Sequence, residues 1–302
     1  MNRTFTILDG GMGRELMRMG APFRQPEWSA LALMLAPDTV ERAHQGFVDA
    51  GAAVITTNSY ALVPFHVGEA KFKAEGRALA ERAGRIARQV ADRAQSQSGR
   101  KVRVAGSLPP LFGSYRPDLF DEARAPEIIR PLIDGLSAHV DLWLAETQGS
   151  LAEARFAKTA LGADKRPFWI SFTLDDENED LARPRLRSGE CVAAAVTAML
   201  DLGVAAVLFN CSQPEVMASA IDAARAVREA RGIRAEIGVY ANAFAPQHAE
   251  AANESLSDIR ADLDPAAYAR FVKDWVQRGA DIVGGCCGIG PEHIAAIKAM
   301  RA

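Results

Sequence analysis

The sequence predicts an α/β protein folded as a single (β/α)8 barrel, and three observations carry that expectation. Short apolar, β-branched runs recur eight times, each is followed by a longer stretch with helical spacing, and 302 residues is the size of eight such units in one closed barrel. Strands apolar on both faces that alternate with helices imply a parallel sheet covered by helices. An open doubly wound sheet is the runner-up.

The units follow in order. FTILD (5–9) is answered by a helix over 37–50, AVITTNS (53–59) by one over 69–95, and VRVAGS (102–107) by one over 126–140. DLWLAET (141–147) pairs with 151–161, PFWISFTL (167–174) with 191–202, and AAVLFNCS (205–212) with 214–230. EIGVYANA (236–243) pairs with 265–278 and ADIVGGCC (280–287) with 291–300. Pro37, Pro126, Pro214, Pro265 and Pro291 stand at first turns, where the N–H that proline lacks has no helical acceptor anyway. No linker or composition break divides the chain, so one domain, residues 1–302, is expected. Two polar stretches, Asp175–Gly189 and Ala245–Asp264, read as long loops on the side where strands end; the acidic run Asp175–Asp180 reads as a solvated face. The basic residues between Lys71 and Arg93 are interleaved with Glu75, Glu81 and Asp92, which makes a solvent face rather than a nucleic-acid surface.

Composition narrows the function. A hydrophobic fraction of 49%, a charged fraction of 24% and a net charge of -3 are those of an ordinary globular protein, with no excess of positive charge for nucleic acid or an anionic membrane. No apolar run reaches the length of a membrane span and the N-terminus lacks a secretory pattern, so a cytoplasmic location and a small partner are expected. Four cysteines are too few for a disulfide scaffold. In a reducing compartment, clustered thiols point to metal binding or catalysis.

In a parallel barrel the catalytic groups sit where the strands end at the C-terminal mouth. That rule selects Asp9, Gly10 and Gly11 after strand one, Thr57 and Asn58 after two, Ser107 after three and Glu146 after four. It selects Asn210 and Cys211 after six, Asn242 after seven, and Cys286 and Cys287 after eight. Strands six and eight are near neighbours in a closed barrel, so Cys211 can meet the vicinal pair across a separation of 75 residues (286 − 211). Three thiolates suit zinc with its fourth position open, and Gly284, Gly285 and Gly288 allow the sharp turn that two adjacent ligands need. Buried free thiols or a redox pair remain open on the residues alone. Cys191 falls at a helix start on the outside, a packing position; His44, His66, His139, His248 and His293 read as surface or helix residues.

The stretches LDGGMGREL (8–16), ITTNSY (55–60), AGSLPP (105–110), AETQGS (145–150), FNCS (209–212) and GGCCG (284–288), in this order, resemble the zinc-dependent homocysteine S-methyltransferases, a family of (β/α)8 barrels. The resemblance covers nearly the whole chain. It implies Zn2+ on Cys211, Cys286 and Cys287, the homocysteine ammonium on Asp9 and Glu146, and its carboxylate on Gly10, Gly11 and Thr57. It further implies a small sulfonium or quaternary ammonium methyl donor held against aromatic faces, with Trp28 and Tyr60 as the candidates. Thr147 stands where the betaine-using branch has a tyrosine, and the ETQGS motif makes S-methylmethionine the expected donor ahead of S-adenosylmethionine and betaine. The activity implied is formation of methionine. Two rivals are weighed against it: a zinc barrel lyase or hydrolase using metal-bound water, and a non-catalytic barrel with structural or redox-active cysteines.

Overall fold

The computed structural model describes residues 4–178, 180, 182–246 and 258–301. Eight parallel strands run in the order β1-β8-β7-β6-β5-β4-β3-β2. They are β1 (Thr6–Ile7), β2 (Val54–Thr56), β3 (Arg103–Leu108), β4 (Leu142–Gln148), β5 (Phe168–Phe172), β6 (Ala206–Asn210), β7 (Glu236–Tyr240) and β8 (Ile282–Val283). The two ends of this order meet: Leu8 bridges Val54 in parallel, and the Ala53 N–H donates to the Ile7 carbonyl at 2.8 Å. The sheet is therefore a barrel, as its doubly apolar strands require, and not the open alternative.

Inside the ring, Leu8, Val54, Ala105, Leu144, Trp169, Leu208, Tyr240 and Ile282 form one apolar cluster to which every strand or its end contributes. Outside it, a larger cluster joins the outward strand residues to the helices. Those helices are α3 (Pro37–Ala50), α5 (Glu69–Ser98), α6 (Ala125–Leu136), α7 (Leu151–Ala160), α8 (Val192–Asp201), α9 (Pro214–Arg231), α10 (Pro265–Arg278) and α11 (Pro291–Ala299). Prolines at the first turn and side-chain caps set several starts. Asp264 accepts from the Ala267 N–H at 2.7 Å to open α10, and Ser150 accepts from the Glu153 N–H to open α7.

Three short helices were not expected: α1 (Met12–Arg18), α2 (Ser29–Leu35) and α4 (Pro64–Val67). They fold the β1 and β2 loops down over the mouth of the barrel. Two other expectations need correction. Cys191 caps α8 as an exposed residue and packs against nothing that would bury it. The loop from Asp175 is not simply a solvated face, because the Asp176 and Arg187 side chains form an ion pair at 2.8 Å with exposures of only 0% and 6%. No helix among the described residues is long and apolar enough to cross a membrane.

Candidate metal and substrate site

The ends of seven strands, all but β5, or the loops after them line a cavity of about 140 Å3, an order of magnitude more room than one water needs. Asp9, Gly10, Gly11, Trp28, Thr57, Asn58, Tyr60, Glu146, Cys211, Cys286 and Cys287 all line it, whereas Ser107, Asn210 and Asn242, also selected at strand ends, are buried and do not.

Within it the sulfurs of Cys211, Cys286 and Cys287 lie within 4.8 Å of one another, with Cys211 and Cys286 at 2.6 Å. All three are free thiols. The sequence brings them together by backbone means. Gly11 is pressed so closely on the vicinal pair that a Cβ there would lie 2.5 Å from the Cys286 carbonyl oxygen, and one on Gly10 would lie 2.2 Å from the Ile289 oxygen. Only glycine lets the β1 turn and the β8 turn approach in this way. Cys211 has φ +52°, a left-handed conformation that costs a non-glycine residue about 1–2 kcal/mol, and it bends the chain sharply out of β6. The Cys287 thiol is pulled well below its ordinary value because the Cys211 and Cys286 thiols hydrogen-bond to its sulfur, and the Arg14 guanidinium adds to the effect. Three soft sulfur donors in one apolar-walled pocket, one of them already favoured as thiolate, fit a metal ion with an affinity for thiolates.

Two carboxyl groups, of Asp9 and Glu146, line the same cavity. Asp9 is held rigidly: its carboxylate accepts from the Thr56 N–H at 2.7 Å and from the Thr56 hydroxyl at 3.0 Å. Burial nevertheless lifts its pKa to about 8, with the neighbouring Glu146 charge adding to the rise. Glu146 accepts from the Ser107 hydroxyl, and burial raises it to about 7. Two carboxyls that are short of a positive charge at neutral pH form a receptor for one.

Glu146 owes its placement to an irregularity. The β4–β5 register shifts between Ala145 and Gln148, and Thr147 sits at φ +59°, an outlier for a β-branched residue. The Asn210 carboxamide holds it there, accepting from the Thr147 N–H at 2.9 Å and donating to its hydroxyl at 2.8 Å. Ser171 donates to the same Asn210 oxygen at 2.6 Å. One amide thus fixes the residue after Glu146 while itself preceding Cys211.

The remaining contacts are placed as follows. The Gly11 N–H donates to the Ile289 carbonyl at 2.9 Å, and the Thr57 hydroxyl accepts from the Ser107 N–H at 3.0 Å, so both groups are partly engaged within the protein. The Tyr60 hydroxyl shares a hydrogen bond of 2.7 Å with Ser114. Trp28, at φ +47°, packs edge-on against Phe23 and His66 with centroids 5.8 and 6.3 Å away, and its indole N–H has no acceptor among the described residues.

Several cavity residues were missed from sequence. His66 lines the cavity, buried, with Nδ1 2.8 Å from the Pro26 carbonyl and its pKa lowered to about 4 by burial, so it is neutral. Its signal was position: it lies eight residues beyond Asn58 on the same loop. His44 and His293 are helix residues, on α3 and α11 as the reading allowed, and both are buried; His248 lies outside the described residues. Tyr115, Tyr240 and Phe244 complete the aromatic wall, and nothing in their local sequence marks them.

Fold and site together define a (β/α)8 barrel whose mouth carries a three-cysteine centre in one cavity with a pair of acidic groups. The chain belongs to the homocysteine S-methyltransferase family: the sequence model described as "Homocysteine S-methyltransferase" matches residues 6–301. It is similar to the homocysteine S-methyltransferase of Escherichia coli K12, 27% identical over 307 residues that cover 97% of this chain and 94% of that one. It is also similar to the selenocysteine methyltransferase of Astragalus bisulcatus, 26% identical over 96% of this chain and 90% of its relative. Among solved structures, the metallated form of the Escherichia coli homocysteine methyltransferase MmuM superposes with a TM-score of 0.80 at 25% identity, over 99% of this chain and 97% of that one.

Proposed function

We propose that this chain, acting as one homocysteine-binding barrel over residues 1–302, transfers a methyl group from a sulfonium or quaternary ammonium donor to the thiol of homocysteine and so forms methionine. S-methylmethionine is the favoured donor, and Zn2+ on Cys211, Cys286 and Cys287 is the cofactor. The observation that carries the reading is the meeting of three cysteine sulfurs within 4.8 Å in the cavity that Asp9 and Glu146 also line. Family membership and whole-length similarity to a methyltransferase whose structure is described as metallated support it.

Zinc, when bound, would acidify the acceptor thiol, so that at neutral pH it attacks as a thiolate. The protein's own groups do the rest. An ammonium entering beside Asp9 and Glu146 supplies the positive charge that these buried carboxyls lack; both pKa values fall and the pair ionises. Gly10, Gly11 and Thr57 flank the position of the acceptor's carboxylate. Trp28 and Tyr60, on the loops that cover the mouth, offer aromatic faces to the donor's cation, worth about 0.5–2 kcal/mol. The buried walls keep water from competing for the methyl group. A lyase or hydrolase built on metal-bound water would draw on histidine or carboxylate ligands, and the one candidate metal group among the described residues consists of sulfur alone.

The test is a donor panel. Purified protein loaded with zinc is given homocysteine and, separately, S-methylmethionine, S-adenosylmethionine and betaine, and methionine is quantified. Fastest turnover with S-methylmethionine is expected; no methionine from any donor would remove methyl transfer to homocysteine as the function.

A further inference from the structure

Cys211 reaches the other two sulfurs only because it holds a left-handed backbone, and the structure shows what keeps it there. The Tyr115 hydroxyl donates to the Cys211 carbonyl at 3.1 Å. Tyr115 is itself buried at φ +62°. Its ring is covered by the Arg187 guanidinium, 4.5 Å from the centroid. Arg187 pairs with Asp176 at 2.8 Å in almost complete burial, and Asp176 also accepts from the Gln213 N–H at 3.1 Å, two residues past Cys211. A buried ion pair, a stacked aromatic ring and two backbone hydrogen bonds thus converge on both sides of one cysteine. Packing alone has no use for such an arrangement, because ion pairs of this kind are seldom a net gain in stability over apolar residues.

We propose that Tyr115 is a positioning residue for the sulfur centre: aligned by Arg187 and Asp176 of the loop after β5, its hydroxyl fixes Cys211 in the conformation that turns its sulfur toward Cys286 and Cys287. The loop from Asp175 to Gly189 is therefore a support of the centre. The inference rests on the reading that these three cysteines hold a metal.

The test measures metal binding rather than turnover. Tyr115→Phe deletes the hydroxyl and keeps the ring under Arg187. Zinc affinity, measured by competition with a chromogenic chelator, is expected to fall about 10- to 100-fold, the usual effect of losing a group that orients a metal ligand. The visible ligand-field spectrum of the cobalt-loaded protein is expected to shift, while the unfolding midpoint of the metal-free protein changes little. Arg187→Lys keeps the charge opposite Asp176 but loses the flat stack; a several-fold loss of affinity is expected, and this variant decides the matter if Tyr115→Phe does not fold. Affinities within twofold of wild type with superimposable cobalt spectra overturn the inference alone. So does a loss of affinity that merely tracks the unfolded fraction. A wild-type protein that takes up no zinc overturns this inference together with the functional reading.

Discussion

At the scale of the residue, Cys211 has the least freedom to change. Its sulfur completes the cluster, its backbone makes the turn out of β6, and no neighbouring thiol can substitute for it, since Cys191 is exposed at the start of α8. Cys211→Ala is expected to take bound zinc from about one per chain to none by elemental analysis, with the protein still folded by circular dichroism. The acidic pair gives a second prediction. Each carboxyl would make a charge-assisted hydrogen bond to the acceptor ammonium, worth about 1.5–3 kcal/mol. Glu146→Gln and Asp9→Asn should each raise KM for homocysteine by roughly 10- to 100-fold and leave KM for the donor nearly unchanged; equal effects on both substrates would dissociate the pair from the acceptor. Trp28→Ala should do the reverse, with a smaller effect set by one cation–π contact.

At the scale of the element, what could be read depended on whether a segment carries its own stop and start signals. The helices over Pro37–Ala50 and Pro265–Arg278 fall where the sequence placed them, because a proline opens each and a glycine follows each. The helix expected over 126–140 ends at Leu136 instead, and α1, α2 and α4 were missed because seven-residue or shorter helices hold too few turns to display a period. The bulge in β4 was equally hidden: its cause is an asparagine 63 residues away. Asn210→Ala should therefore destabilise the protein by about 2–3 kcal/mol in urea denaturation, since it orphans a buried N–H at a strained residue, and should lower zinc affinity as well. Asp264→Ala, which removes only the α10 cap, should cost about 1 kcal/mol and leave zinc binding intact.

At the scale of the whole molecule, buried ionisable groups set how stability depends on pH. Asp9 near 8, Glu146 near 7 and Glu153 near 7, all raised chiefly by burial, bind protons in the folded state that the unfolded chain gives up near pH 4. Their contribution is full below that value and is lost as pH rises through the folded values. His44 and His66, both lowered to about 4 by burial, act in the opposite sense, adding stability as pH rises from about 4 to 6.5 and nothing more above it. The two trends offset below pH 6.5; between about 6.5 and 8 the three carboxyls lower stability as pH rises, and the single Cys287 thiol, held below its ordinary value in the fold, opposes them without cancelling all three. The metal-free protein is thus expected to lose stability over that interval, at up to ~1.4 kcal/mol per pH unit for each carboxyl still protonated. Urea midpoints at pH 6.5 and 8 measure it, and Asp9→Asn with Glu146→Gln should flatten the decline; a midpoint that rises across the interval contradicts the assignment.

The sequence by itself determined the barrel and the positions of its chemistry. Strand and helix periods are local, and the rule that groups at strand ends face one mouth turns sequence position into spatial position, which is how three cysteines spread over 286 − 211 + 2 = 77 residues could be assigned to one cavity. The tertiary structure alone decided how those side chains are held. Left-handed turns at Thr147 and Cys211, the Asn210 clamp, and the buried pair of Asp176 and Arg187 stacked on Tyr115 depend on contacts between loops distant in the chain. Such contacts exist only once the barrel has closed and brought its loop ends within hydrogen-bonding distance, so no local pattern of residues encodes them.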